Sequence, residues 1–252
     1  MPFSILSPFS WPRLLIASLL FTGLAHATGV KPQTSVVLVD EADGEGTISV
    51  QNTDATPVLL YSKLRNLAED PQPRLLITQP VARVEAGETQ LVRFLLNSRA
   101  PLKTEHLMRV AFEGIPAVDH AADQVKITTI IRQDLPVIIH PRGLARNERP
   151  WQLLSWSVQG DHVIVRNDSP YVVRLAKQVQ LLPQQTALDL PRTYLLPGDV
   201  VTLRPVTLAA AQNQTALGSL AATQKVRLFP ASVYGHQVDS YDAPLRATPN
   251  GH

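Results

Sequence analysis

Twenty-one prolines are spread along this chain of 252 residues, and they confine regular structure to short segments. A proline inside a helix removes a hydrogen bond and clashes with the turn before it, so recurrent prolines exclude long helices. Between the breakers lie short apolar or alternating runs: Ser35 to Val39, Thr47 to Gln51, Val58 to Leu64, Leu75 to Thr78, Ala82 to Val84, Gln90 to Leu96, Leu107 to Phe112 and Val125 to Ile139. Turn signals such as Asp43-Gly44-Glu45-Gly46 and Asn52-Thr53-Asp54 separate them. Their spacing of roughly 8–12 residues predicts an all-β sandwich.

The polar, breaker-rich segment from His140 to Pro150 has the composition of a linker. Beyond it a second set of strands is expected over Trp151 to Val158, His162 to Asn167, Val172 to Leu182, Arg192 to Leu196, Val200 to Leu203 and Lys225 to Leu228. Leu208 to Thr223 is rich in Ala, Gln and Thr and reads as a loop or short helix, and the tail from Tyr241 reads as frayed. The chain therefore divides into a domain over residues 28–143 and another over 144–252, each large enough to bury its own core.

The N-terminus reads as an address. Arg13 precedes an apolar run from Leu14 to Leu24, and Ala25-His26-Ala27 follows with the small-x-small pattern of a cleavage site. The run is shorter than the roughly 20 apolar residues of a comfortable membrane span. Residues 1–27 are read as a signal peptide cut after Ala27. No later segment is long and apolar enough to span a membrane, so the mature chain is expected to be exported and soluble, without membrane insertion.

Composition narrows the chemistry. The chain has no cysteine, which excludes disulfides, thiolate catalysis and Cys-based zinc sites. A formal net charge of +2 gives no field that would favour nucleic acid. Arg142, Arg146 and Arg149 form a short basic cluster that reads as a solvated linker. There is no Gly-x-Ser-x-Gly, no His-Glu-x-x-His and no P-loop, and the histidines stand alone. Asp40, Glu41, Asp43 and Glu45 cluster at a turn but lack the spacing of a calcium loop. No enzyme, cofactor or metal is expected.

Three segments carry a resemblance. PVARVEAGETQLVR places Pro80, Arg83, Gly87 and Arg93 in a strand–turn–strand unit. Glu105 through Pro116 is a long strand closed by Ile115-Pro116. NDSPYVV, from Asn167 to Val173, is a turn that enters a strand. In this order, behind a signal peptide, they resemble the periplasmic pilus (fimbrial) assembly chaperones of the PapD-like family. The resemblance covers nearly the whole mature chain. It implies two immunoglobulin-like β-sandwich domains in a boomerang arrangement, with pilus subunits and an outer-membrane usher as partners. Such chaperones complete an unfinished subunit by strand addition.

By position in the family, the donated strand would be Val125 to Leu135, with Val125, Ile127, Thr129 and Ile131 on one face. The family fixes the client's C-terminal carboxylate with two basic residues, at positions corresponding to Thr34 or Ser35 and to Pro136. This chain has neither. Arg132 is the nearest substitute, and Arg93 and Arg109, expected on neighbouring strands, come next. The family's acidic position falls on Glu105, whose partner would be His140 or Arg142. Gly87, Ile115 and Tyr171 read as residues that keep the fold. The other reading open at this point is an exported immunoglobulin-like adhesion or ligand-binding module. Its edge strand would be guarded by charges or prolines, whereas Val125 to Ile131 carries only Lys126. N-terminal sequencing of the exported protein should begin at Thr28; a product that retains Met1 in the membrane fraction would refute the export assignment.

Overall fold

Successive side chains of a strand point to opposite faces, so a run that alternates in polarity makes a sheet with one face to bury. The computed structural model describes residues 29–247 apart from positions 73, 99, 117–129, 161, 205–222, 233 and 237. Nine strands form its first half: β1 (Val30–Pro32), β2 (Val37–Asp40), β3 (Glu45–Asn52), β4 (Val58–Arg65), β5 (Leu75–Ile77), β6 (Val81–Val84), β7 (Thr89–Leu96), β8 (His106–Pro116) and β9 (Arg132–His140). They follow one path, β5-β7-β3-β2-β9-β8-β4-β6, with β1 added on β3. The path is thinnest between β2 and β3, where a single pair, Asp40 and Glu45, is in register across a tight turn. The sheet bends there into two layers. Ile48, Val50, Val92 and Phe94 from one arm meet Val39, Leu60, Val110, Phe112, Val137 and Ile139 from the other in one buried cluster.

The second half opens with a 3₁₀ turn, Pro150–Leu153, and continues with β10 (Ser155–Gln159), β11 (His162–Arg166), β12 (Val173–Arg174), β13 (Gln178–Leu182), β14 (Thr186–Asp189), β15 (Tyr194–Leu195), β16 (Val200–Leu203), β17 (Lys225–Leu228) and β18 (Tyr241–Ala247). Seven of these make a sheet in the order β14-β13-β17-β18-β10-β11-β16, and β12 pairs with β15. Trp156, Val163, Val165, Val179, Leu181, Leu188 and Val226 fill a core of their own. The chain is all-β and built as two sandwich-like units.

Some expectations fail in detail. Trp151 belongs to the 3₁₀ turn, because Pro150 stands at its first positions and favours a helical start. Val172 to Leu182 is two strands, since Ala176 turns away to give its N–H to Phe229 O at 2.8 Å. β14 was not expected. The tail from Tyr241 is not frayed: β18 lies inside the sheet, antiparallel to β17 and parallel to β10, with Ala243 buried and Asp242 held by Arg227 at 2.7 Å. Leu208 to Thr223 falls outside the described residues, except Thr223.

The two halves repeat one polar device. Asn52 and Asn167 are both fully buried at the end of a strand. Each amide nitrogen donates to the carbonyl four residues on, Thr56 O at 2.9 Å and Tyr171 O at 2.8 Å. Each reaches a second element as well, Val84 O at 3.1 Å and Leu195 O at 3.2 Å. Each backbone carbonyl accepts from a turn glycine, Gly87 at 3.0 Å and Gly198 at 2.7 Å. Short polar side chains are the residues that satisfy a turn's own backbone. Asn167→Ala leaves the carbonyls of Tyr171 and Leu195 without those donors, which costs about 1–3 kcal/mol for buried polar groups left unmade. Urea denaturation should show that loss in the second half, while Asn52→Ala should weaken the first; a change under 0.5 kcal/mol in both would reject the assignment.

Candidate functional site

β9 is longer than the strand on its far side. It pairs with β8 from Arg132 to Ile139, Arg132 lying across from Glu113 and Ile139 from His106. β2 pairs with it in parallel only from Val137 to His140. Among the described strands, none is in register with the other side of Arg132–Pro136. Leu135, Val137 and Ile139 point into the first core. Ile131 has the same parity and is 44% exposed, next to Ile130 at 48%. Beyond the polar Gln133, the core-facing parity of β9 thus offers a further apolar side chain outside its own core. Val125, Ile127 and Thr129 lie outside the described residues.

The outward face of β8 and β9 meets the second half. Leu107 and Ile138 join Val36, Leu67 and Val172 in a buried cluster, with Tyr194 and Leu196 packed on it. Next along this face stands Arg109, in register with Pro136, then Asp134, then Arg132 with Glu113. Arg132 Nε donates to Glu113 Oε1 at 2.5 Å. Arg109 Nε donates to Asp134 Oδ1 at 3.1 Å, and Arg65 Nη2 to Asp134 Oδ2 at 2.5 Å. Arg93 is elsewhere: it lies on β7, separated from β9 by β3 and β2, and pairs with Glu45 at 3.5 Å. The expectation of neighbouring strands thus holds for Arg109 and fails for Arg93, because the sheet bends between their arms.

The two expected basic positions are occupied by contacts of another kind. Ser35 Oγ donates to Gly235 O at 3.2 Å, a bond from the first half to the second. A Cβ on Gly235 would stand 2.0 Å from Ser35 Oγ and 2.9 Å from Val36 Cγ2, so the close approach requires glycine there. Pro136 is buried within β9.

Two further ties join the halves, and a third holds the linker against the second. Glu105 is 5% exposed; one oxygen meets His140 Nδ1 at 2.9 Å, and the other accepts the Val172 N–H at 2.8 Å. His140 thus takes the place open to it or Arg142, while Arg142 N–H donates to Glu41 at 2.8 Å. The Tyr171 hydroxyl donates to Ala145 O at 2.7 Å. Arg192 reaches both Glu69 of the first half and, at 2.5 Å, Asp199 of its own. The acidic cluster is spent on similar bonds, Asp40 with Arg146 at 3.0 Å and Glu41 with the Leu102 N–H at 2.9 Å.

Sequence reasoning missed Arg174, on β12. Its Nη1 is buried and has no hydrogen-bond partner among the described residues. Burial, and then the charge of Arg109, pull its guanidinium below the ordinary arginine range. Nothing in the motif NDSPYVV signals this, because the neighbour that matters comes from the other half.

Partial burial alone would raise the Glu69 carboxyl; its backbone bond and Arg192 outweigh that and hold it below the ordinary range. A depressed folded value means that the stabilisation is complete above the unfolded value of about 4.3 and is lost as pH falls through the folded one. Glu69→Gln should therefore lower the urea midpoint at pH 7 and match the unsubstituted chain in strong acid. An equal gap at both pH values would refute the role of the charge.

Models of known families match both halves: "Pili and flagellar-assembly chaperone, PapD N-terminal domain" over residues 29–145 and "Pili assembly chaperone PapD, C-terminal domain" over 150–222. The fimbrial chaperone YhcA of Escherichia coli K12 is 43% identical over 221 residues, 87% of this chain and 92% of that protein. The chaperone protein MrkB of Klebsiella pneumoniae is 26% identical over 63% of this chain and 72% of its own length. Among solved structures, that of the Salmonella enterica SafA pilin with the SafB chaperone matches with a TM-score of 0.67 at 19% identity, over 87% of this chain and 98% of that one. The Escherichia coli chaperone DraB matches at 0.66 and 16%, over 86% and 99%.

Proposed function

Because this chain belongs to the family of PapD-like pilus-assembly chaperones, we propose that it caps pilus subunits in the periplasm with a strand that ends in β9, and hands them to an outer-membrane usher. The observation that carries this reading is the half-paired edge of β9. An unpaired strand edge beside apolar side chains is a template for another strand. Main-chain bonds along Arg132–Pro136 would supply affinity, and Ile131, with Val125, Ile127 and Thr129 before it, would fill gaps in the client's core. The family is one of chaperones rather than enzymes. The reading as an adhesion module of the same fold gives way to it, since the 43% identical relative is itself a fimbrial chaperone. Export with cleavage after Ala27 and a domain junction at Gly143–Leu144 belong to the same proposal.

A client strand laid on the open edge has to stop at Pro136, because β2 occupies the edge from Val137 onward. Arg109 stands across from Pro136. This placement favours Arg109 over Arg132 and Arg93 as the group that meets the client's terminal carboxylate. Arg132 lies four residues earlier and is bound to Glu113, and Arg93 lies on the other arm. A strand running parallel to β9 would bring a carboxylate to this row, and an antiparallel one an amine that the arginine repels.

Ile131→Asp puts a charge where an apolar side chain has to enter a client, and an unpaired buried charge is strongly disfavoured. Pull-down of a co-expressed pilus subunit should fall at least about tenfold, which corresponds to 1.4 kcal/mol. Thermal melting of the free variant should stay unchanged, because this side chain is already half in water. Loss of melting stability would mark Ile131 as core, and undiminished capture would reject the donated strand.

A further inference from the structure

His140 closes β9 as a buried residue, and an oxygen stands at each of its ring nitrogens: Glu105 Oε1 at 2.9 Å from Nδ1, and Leu144 O at 2.9 Å from Nε2. A backbone carbonyl only accepts, so Nε2 has to carry a hydrogen. A neutral imidazole has one N–H and one lone pair, and the lone pair on Nδ1 then faces Glu105. An ionised carboxylate is an acceptor too, and the other oxygen of Glu105 already takes the Val172 N–H at 2.8 Å. Two acceptors at such a distance repel. The pair is satisfied only with one further proton, held on the ring or on the carboxyl. The other charges around it are engaged elsewhere. Asp40, in register with His140 on β2, pairs with Arg146 at 3.0 Å, and Glu41 takes the backbone N–H of Arg142 at 2.8 Å. His106, next to Glu105, pairs with Asp70 at 2.6 Å, and Glu45 pairs with Arg93 at 3.5 Å. A cavity of about 630 Å3, lined also by Asp43, Glu148 and Tyr234, reaches both members of the pair, so a proton has a way in and out.

We propose that His140 and Glu105 form a proton-operated latch on the domain junction. With the proton, Glu105 reaches from the Val172 N–H to the ring, and the ring reaches Leu144 O, so first domain, linker and second domain are joined by one chain of bonds. Without it, the ring has to turn from Glu105 or release Leu144. The linker beyond is lightly held: the Leu144 N–H meets Pro141 O at 3.3 Å, and Ala145 O accepts from the Tyr171 hydroxyl at 2.7 Å. Stabilisation that needs this proton is complete below about pH 6.5, where the ring of the unfolded chain holds one as well. It is lost as pH rises through the point at which the folded pair lets the proton go. Histidine changes its charge in this range, and an arginine in the same place would not. The latch is a property of the free chain. Its effect on subunit capture rests on the chaperone reading above.

The test uses the full exported chain. It has no cysteine, so Thr89→Cys on β7 and Thr202→Cys on β16 place one spin label on each domain. The distance between the labels should show one narrow distribution at about pH 5.5 and a broader one at about pH 8.5, values that bracket the charge change of histidine. Glu105→Gln is the decisive variant. Its amide oxygen can accept from Val172 and its NH2 can donate to Nδ1, so a neutral ring completes the network with no extra proton. Its distribution should stay narrow at both pH values. His140→Arg, which holds its charge throughout, should respond to pH no more than Glu105→Gln does. Between the two pH values the melting temperature of the unsubstituted chain should fall by about 2–4 °C more than that of Glu105→Gln. Pull-down of a co-expressed pilus subunit should weaken roughly two- to tenfold at the higher pH, the loss of one hydrogen bond, and recover with Glu105→Gln. A narrow distribution at both pH values in the unsubstituted chain overturns the latch. So does equal broadening in Glu105→Gln and His140→Arg. Failure to capture any subunit at either pH refutes the chaperone reading, and the label distances still decide the latch.

Discussion

One buried carboxylate holds the two domains in their relation. Glu105 enters β8 at the point where the first sheet meets the second domain, and its oxygens are divided between His140 of the linker and the Val172 N–H. Taking a carboxylate out of water costs several kcal/mol unless its lone pairs are met. Here they are met by groups from two different parts of the chain. The same segment gives its backbone N–H to Pro170 O at 2.8 Å. Any change in the angle between the domains would break these bonds before it disturbed either core. The apolar cluster of Val36, Leu107, Ile138 and Val172 adds area to the junction, but area alone is not directional.

This rigidity matters because the proposed client site has no walls of its own. It is an edge and a corner: the open side of Arg132–Pro136, and the place where Val172 of the second domain packs with Leu107 of β8. The edge belongs to the first domain and would exist without the second. The corner exists only if the domains keep their angle. The bond from Ser35 to Gly235 serves the same end from the other side of β2. Its close approach is what requires glycine at residue 235.

Much of the fold was legible because alternation survives in strands with one buried face. β3, β7 and β8 could be placed from their residues, and the Asn52-Thr53-Asp54 turn, the Gly87 turn and the Ile115-Pro116 stop marked ends of these strands. β18 could not be placed this way. Tyr241 to Ala247 contains Pro244, Arg246 and Asp242, which look like a solvated tail until β17 and β10 are seen on either side of it. The site was legible in part. Ile131 was named from family position and Arg109 from its expected place on a neighbouring strand, which it has; Arg93 was expected there too and is not, because the bend between β2 and β3 leaves no mark that separates the arms. Arg132 looked free in sequence because Glu113 is on another strand. Arg174 had no signal of its own: its surroundings are made by strands far away in the chain.

Each domain is closed by a parallel pair between an early strand and its last one, β2 with β9 and β10 with β18. A chain that emerges N-terminus first cannot make those pairs until its later strands follow. Val37 must wait for Val137, and Trp156 for Leu245. Contacts so distant in sequence form late and leave apolar surface uncovered meanwhile. Until β18 arrives, β10 and β17 each present an unsatisfied edge around a core without its last strand. During its own maturation, this chaperone passes through the same structural defect that its family relieves in pilus subunits. It repairs that defect from within, when β18 enters between β10 and β17.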